Sequence, residues 1–433
     1  MDVHIDRHSL QTAFGGLNRH EAIAAAFERA IAEGRLAPGE RLAPVRRLSA
    51  DLGVSGATVA AAYQLLSQRG WTRGEVGRGT FVVGRPGEVS AAGQVAVRSI
   101  ASTSRGLPVD VPRTPWRRRA VLASAARLRA AHPTALDCTS GKPDPSLLLR
   151  DIFIRSWRSA LDETANLDLQ YASPEPVAPL VQAIAPRLER DSILTAGGEM
   201  VIGSSAQQLM VLSLSIVSAL SSSAPRIVAV EEPGYQTVFD AFERMGFRLV
   251  GMEVDDEGVV PDALRAALAA GAQAALFTPR AQNPFGASWS PNRRKALARV
   301  LAAFPSAVAI EDDQFADLAQ ARPGSLLNEP QMSERVIYIR SFAKAIAPDI
   351  RIAVAVARPR LRYLLAEAKS FTDGWSPRLS QRALAHLLSD ELLDTALASA
   401  RQIYAARRLA AIRVLATRLE PEGAIVNGSD GLN

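Results

Sequence analysis

The chain has 433 residues, which at roughly 150 residues per domain predicts two or three domains, and its 48% hydrophobic, 22% charged composition supports a large core rather than disorder. No run of about 18 apolar residues is present to span a membrane. The start MDVHIDRHSLQTAF lacks the apolar stretch of an export signal, so the expected location is the cytoplasm, and a single cysteine, Cys138, excludes an intrachain disulfide framework and a cysteine-rich zinc site. The net charge of +6 is uneven: residues 1–83 carry +2, residues 84–135 carry +7 and residues 136–433 carry −3, which points to an anionic partner, typically nucleic acid, for the first third.

Residues 15–83 read as one small domain. HEAIAAAFERAIAEG has apolar residues at helical spacing, and LAPGERL is a Pro-Gly turn. VRRLSADLG is a short helix ended by Gly53, and Ser55 is the expected N-cap of the helix in SGATVAAAYQLLSQRG. TRGEVGRGTFVV closes the domain as a Gly-tipped hairpin. Helix, tight turn, helix and hairpin is the layout of a winged helix-turn-helix, whose second helix enters the major groove. On that layout Ser55, Thr58 and Tyr63 are the expected polar contacts, with Val54, Val59 and Leu66 turned inward. Arg46 and Arg47 lie near the expected phosphate path, and Arg73 and Arg78 flank the wing tip. Each phosphate they neutralise releases counterion, so binding to double-stranded DNA would depend on salt. A three-helix interaction module with solvated arginines has the same layout.

The stretch from Ile31 to Val82, IAEGRLAPGERLAPVRRLSADLGVSGATVAAAYQLLSQRGWTRGEVGRGTFV, resembles the DNA-binding domain of the GntR family of bacterial regulators over essentially its whole length. Arg46, Ser55, Thr58 and Gly79 fall on that family's pattern. Two positions depart from it. The Pro-Ser before the arginine is Ala43-Pro44 here, and Gly56 replaces an arginine after Ser55, removing a DNA contact that the resemblance would imply.

Residues 84–135 read as a basic interdomain linker, with breaker-rich RPGEVSAAGQ and GLPVDVPRTP and a short basic helix in PWRRRAVLASAARLRAAHP. From 136 to 433 short apolar strands, RIVAVEEP, AALFTPR, AVAIEDD, RVIYIRS and RIAVAVA, alternate with helical segments. That alternation predicts an α/β fold around a mostly parallel central sheet. Ligands bind such sheets beyond the carboxyl ends of the strands, where the motifs of this chain cluster.

Any chemistry that needs an amine has four lysines to choose from: Lys142, Lys295, Lys344 and Lys369. Lys295 sits in a charged helix, Lys369 in a helix and Lys142 in a Gly-Pro loop. Lys344 follows one strand and precedes another, where a lowered pKa makes an amine nucleophilic. Ser341 and Arg351 flank it as possible phosphate ligands. Pyridoxal 5'-phosphate (PLP) as cofactor needs further groups. Asp312 could hold the ring nitrogen protonated, with Asp313 as the near alternative. Asn283 in AQNPFG could donate to the phenolic oxygen, and Tyr235 in EEPGY could stack on the ring. Ser205, Ala206 and Gln207 in GSSAQQLMVL could offer the phosphate a helix start.

The order of these motifs resembles the fold-type-I, aspartate-aminotransferase-like family across roughly residues 136–433. With a GntR head, it resembles the MocR regulators, and TPRAQNPFGASWS, EDDQFADL and IRSFAKAIAPDIRIA resemble the PtsJ-type branch linked to vitamin B6 control. The resemblance implies a PLP-responsive transcriptional regulator. In it Lys344 carries the cofactor as the internal aldimine, Asp312 partners the pyridinium, Asn283 donates to the phenolate, and Ser341 and Arg351 hold the phosphate. Tyr171 matches a tyrosine that reaches the phosphate of a neighbouring subunit, which implies a head-to-tail homodimer. PLP or an amino-acid adduct of it would be the effector. Gln314 stands where most MocR proteins have a tyrosine. Pro176 and Leu180-Val181 replace the Gly and Leu-Arg of the pattern, and the family pattern continues past DGLN with an arginine that grips a substrate carboxylate. The alternative is a PLP-dependent aminotransferase with an appended DNA-binding head.

Overall fold

The structure is a computed structural model. It describes residues 18–33, 35–36, 40–69, 71–75, 79–82, 109–110, 126–127, 130, 141–164, 170–193, 199–220, 225–322, 324–419 and 428–431. The chain divides into two compact units, Met1–Val97 and Arg98–Asn433.

In the first unit the helices are α1 (Arg19–Ala32), α2 (Val45–Leu52) and α3 (Gly56–Gln68). Gly53 takes a left-handed φ of 61°, which ends α2 and turns the chain into α3 within three residues. Ser55 caps α3 as its sequence position predicts: its Oγ accepts the Thr58 amide at 3.1 Å. Val59, Ala62 and Leu66 share the inner stripe of α3 and pack with Ile23, Phe27, Leu48 and Leu52. Strands β1 (Thr72–Glu75) and β2 (Gly79–Val82) form an antiparallel hairpin, Thr72 opposite Val82. The Leu42 amide donates to the Thr80 carbonyl and the Val82 amide to the Glu40 carbonyl, so the chain before α2 braces the wing.

The second unit follows in the order β3 (Val109–Asp110), α4 (Arg150–Asp162), α5 (Ala178–Arg190), β4 (Met200–Gly203), α6 (Ala206–Leu220), β5 (Ile227–Glu232), α7 (Gln236–Arg244), β6 (Arg248–Asp255), β7 (Gly258–Val259), α8 (Pro261–Ala269), β8 (Ala274–Phe277), α9 (Pro291–Ala302), β9 (Val308–Asp313), β10 (Val336–Ser341), β11 (Ala353–Ala357), α10 (Pro359–Ser370), α11 (Arg378–Leu388) and α12 (Leu393–Leu419). The sheet order is β3-β6-β5-β8-β9-β10-β11-β4, with β7 on β6. Strands β6, β5, β8, β9 and β10 run parallel. Strand β11 is antiparallel to both β10 and β4, so β4 points the same way as the parallel set. The mostly parallel sheet expected from the alternating pattern is present.

Strand β3 lies inside the segment read as a linker and pairs antiparallel with β6 at the sheet edge. Pro108 and Pro112 favour extended backbone but remove ladder donors, which suits a two-residue strand confined to an edge. Both faces of the sheet are covered. Helices α6, α7 and α10 pack on one, around Leu209, Phe239 and Leu365. Helices α4, α5, α8, α9, α11 and α12 pack on the other, around Ile184, Leu301 and Leu384. The central strands β9 and β10 are buried at every position, the reason their sequences read as unbroken apolar runs until their last residues. Among the described residues no helix is long and apolar enough to cross a membrane.

Candidate cofactor site and DNA-reading head

Five strands that point the same way end on one edge of the sheet, and each carries expected site residues in its last positions or in the loop that follows. Ser205, Ala206 and Gln207 follow β4, Tyr235 follows β5, Asn283 follows β8, Asp312 and Gln314 end β9, and Ser341 and Lys344 end β10. Arg351 enters the antiparallel β11 from the same edge with a left-handed φ of 51°. Parallel strands with right-handed crossovers place their carboxyl ends together, so motifs far apart in sequence converge.

At the end of β9 the two aspartates part company, because successive strand residues point to opposite faces. Asp313 turns to the buried Arg280 guanidinium, 2.6 Å away, and accepts the Tyr338 hydroxyl. Asp312 is buried too, yet its Oδ1 has no hydrogen-bond partner. Burial pushes the Asp312 carboxyl up to about 7; the negative charges of Asp313 and Glu231 add to the rise and the Lys344 ammonium opposes it. Two residues on, Gln314 also leaves a buried side-chain nitrogen, Nε2, without a partner. Buried polar atoms are ordinarily hydrogen-bonded, so an acceptor and a donor left without a protein partner two residues apart leave room for an outside polar partner.

Of the four lysines, Lys142 and Lys295 are exposed. Lys369 is fully buried, but Asp373 neutralises it at 2.7 Å, and it lies within α10. Lys344 is half-buried. Desolvation lowers its pKa while the nearby Asp312 charge works against the fall. Its Nζ donates to the Gly141 carbonyl and lies 5.9 Å from the centre of the Phe315 ring. Ser341 is buried and its Oγ accepts the Ala343 amide at 3.3 Å, while Arg351 is exposed. Ser205 Oγ accepts the Gln208 amide at 3.1 Å and so opens α6 as a cap. Tyr171 is 89% exposed and meets Trp375 edge-on, with ring centres 5.6 Å apart.

Several supporting residues escaped the sequence reading. Glu231 at the end of β5 accepts the Thr278 amide and the Gln282 side chain, and Gln282 also donates to the Pro233 carbonyl. That bridge ties the Tyr235 loop to the Asn283 loop. Behind Asp313 lies a buried ionic lattice. Arg280 and Arg340 share Asp191 at 3.0 Å each, and Arg340 and Arg187 share Asp317 at 2.7 and 3.3 Å. Burial raises the Asp317 pKa, but Arg340 and Arg187 outweigh it and hold the carboxyl below its usual range. No local motif marks these groups. They meet only because α5, β9 and β10 pack together.

In the head, Arg46 and Arg47 are exposed on α2, and Ser55 is exposed at the start of α3. Thr58 is half-buried and its hydroxyl pairs with that of Ser55 at 2.8 Å. Tyr63 is a correction. It lies one turn after Val59 on the inner stripe of α3, is 7% exposed, packs edge-on against Phe27 and donates its hydroxyl to the Ala43 carbonyl at 2.7 Å. It is a core residue and does not face a DNA groove. Arg73 lies in β1 opposite Phe81, and Arg78 lies outside the described residues.

Residues 19–82 match the bacterial regulatory proteins of the gntR family. The chain is 30% identical over 405 residues to the vitamin B6 salvage pathway transcriptional repressor PtsJ of Salmonella typhimurium, covering 93% of this chain and 81% of that protein. It is 25% identical over 388 residues to the pyridoxine biosynthesis transcriptional regulator PdxR of Corynebacterium glutamicum, covering 88% and 75%. Among solved structures it is similar to LysN, the alpha-aminoadipate aminotransferase of Thermus thermophilus complexed with N-(5'-phosphopyridoxyl)-L-leucine. That match has a TM-score of 0.56 and 28% identity, over 65% of this chain and 71% of that one.

Proposed function

The chain belongs to the MocR-type branch of the GntR family of transcriptional regulators, and on that premise we propose that it is a cytoplasmic, PLP-responsive regulator of vitamin B6 metabolism. The observation that carries the cofactor reading is the buried, unpartnered Asp312 Oδ1 on the same strand ends as Lys344. PLP supplies an aldehyde that condenses with an amine and a ring that draws electrons. Burial lowers the pKa of the Lys344 amine, against the opposing pull of the Asp312 charge, and so favours its uncharged, nucleophilic form. Asp312, near neutrality in its pKa, accepts or shares the proton of a ring nitrogen. Gln314 Nε2 and Asn283 offer donors to a ring oxygen, and Tyr235 offers a stacking face. The amides opening α6 at Ser205, Ala206 and Gln207, with Ser341 and Arg351, hold a phosphate. Tyr171, exposed beside Trp375, reaches toward a partner subunit in a head-to-tail homodimer. Arg46, Arg47, Ser55 and Thr58, with Arg73 and Arg78 at the wing, contact an operator in double-stranded DNA, and the +7 segment of residues 84–135 joins head to body.

The test is an absorbance titration of the full chain with PLP, followed by DNA binding with and without it. A visible band that Lys344→Ala abolishes, together with a change in operator affinity, is the expected result. Equal cofactor binding by Lys344→Ala would overturn the reading. Conversion of the bound cofactor to its amine form by an amino acid would favour an aminotransferase with an appended head.

A further inference from the structure

Lys344 Nζ donates to the carbonyl oxygen of Gly141. Gly141 opens a short segment, residues 141–148, that is clamped at its middle to α12. The Asp144 amide donates to the Tyr404 hydroxyl at 2.8 Å, and Arg407 binds the Asp144 carboxylate at 2.5 Å. The same carboxylate accepts the Ser146 amide at 2.8 Å and caps the turn Pro145–Leu147. Tyr404 and Arg407 are three residues apart on one face of α12. On its amino-terminal side the segment continues, through residues 83–140, to the head.

We propose that residues 141–148 form a strap that reads the chemical state of Lys344, held while the amine is free and released at Gly141 when the amine becomes bonded to an aldehyde. The inference rests on the reading of Lys344 as the cofactor lysine. The reason lies in the count of protons on one nitrogen. A free ammonium carries three donors, one of which serves Gly141. When the uncharged nitrogen attacks an aldehyde carbon, a carbon–nitrogen bond forms and the carbonyl oxygen leaves as water with both amine protons. The resulting doubly bonded nitrogen is planar and carries at most one proton, fixed in that plane. Gly141 then loses two of the three protons that could serve it and the freedom of any third to turn toward it, and a half-buried carbonyl with a weakened partner is unfavourable. The other end of the strap is fastened whatever the state of the lysine, so release at Gly141 leaves the segment held at one end and the whole of it, clamp included, opens more often. The Arg407 ion pair and the Ser146 bonds hold the Asp144 carboxyl down at about 2, so that clamp persists across neutral pH. One fixed anchor and one anchor that depends on the lysine make the segment sensitive to a single bond.

Hydrogen exchange of the full chain, read by mass spectrometry on peptides spanning 141–148, tests this. The reporting amides are Asp144, Ser146, Leu147 and Leu148, each hydrogen-bonded in the strap. Adding PLP should speed their exchange roughly tenfold, the size expected for losing a charge-assisted bond. Pyridoxamine phosphate has the same ring and phosphate but no aldehyde, and should leave exchange unchanged. Cofactor-free Lys344→Met should exchange fast already. Tyr404→Phe should exchange fast in both states while keeping the visible band. A band that appears without faster exchange, or equal acceleration by pyridoxamine phosphate, overturns the strap and leaves the cofactor reading standing. Absence of the band overturns both.

Discussion

Replacing Asp312 by asparagine should stabilise the cofactor-free protein and weaken its hold on the cofactor. In the fold the Asp312 carboxyl titrates at about 7, against 3.8 for an unburied aspartate. A folded pKa raised in this way means that protonation stabilises the native state. That contribution is complete below pH 3.8 and is lost as pH rises through 7. At about 1.4 kcal/mol per unit, holding the ionised carboxylate costs the fold about 4 kcal/mol at pH 8 and about 2 kcal/mol at pH 5. Asparagine keeps the shape and removes the charge. Thermal unfolding of cofactor-free Asp312→Asn should therefore run above wild type at pH 8, with the gap narrowing toward pH 5. Glu231 and Glu311, also pushed up to about 7 mainly by burial, destabilise both proteins as pH rises, so the difference between the proteins is the quantity to read. With PLP the order should reverse, since a ring nitrogen no longer finds an anion. A variant that melts at or below wild type at pH 8, or a gap that does not change with pH, would refute the reasoning.

Other consequences are as direct. Arg280→Met leaves Asp313 and Asp191 buried with fewer cations and should destabilise the body by about 3–5 kcal/mol in denaturant titrations; a neutral result would mean that the lattice is not dry. Arg46→Ala and Arg47→Ala should each weaken DNA binding similarly across sequences and reduce the salt slope by about 1. Tyr63→Phe should leave that slope unchanged and cost the head about 1 kcal/mol, because only the bond to the Ala43 carbonyl is lost. Lys344→Ala should abolish the visible band on addition of PLP, measured against wild type at equal concentration.

The head was legible nearly to the residue. Its signals are local: Gly53 ends a helix because it accepts a positive φ, and Ser55 caps the next because its hydroxyl reaches an amide three residues on. Tyr63 departs from its expected place for the opposite reason. A tyrosine has a polar tip and an apolar body, and which of the two decides its place depends on the phase of the helix against a core formed by α1 and α2. The expected linker likewise concealed an edge strand, since pairing of Val109 and Asp110 needs β6, far along the chain.

The same division runs through the site. Residue type and order marked Lys344, Asp312, Asn283 and the small-residue helix start, because imine-forming, ring-binding and phosphate-binding groups are chemically few and must follow strands. Sequence by itself put Asp312 first but kept Asp313 as the near alternative, and could not see that Lys369 is more deeply buried than Lys344. Tertiary structure decided both. Strand alternation sends Asp313 to Arg280 and leaves Asp312 unpaired, and Asp373 occupies the Lys369 ammonium. Glu231, Gln282, Phe315 and Gly141 entered the site only through packing. Local bonds and periodicities are written within a few residues, whereas burial and charge pairing depend on which distant strands lie side by side.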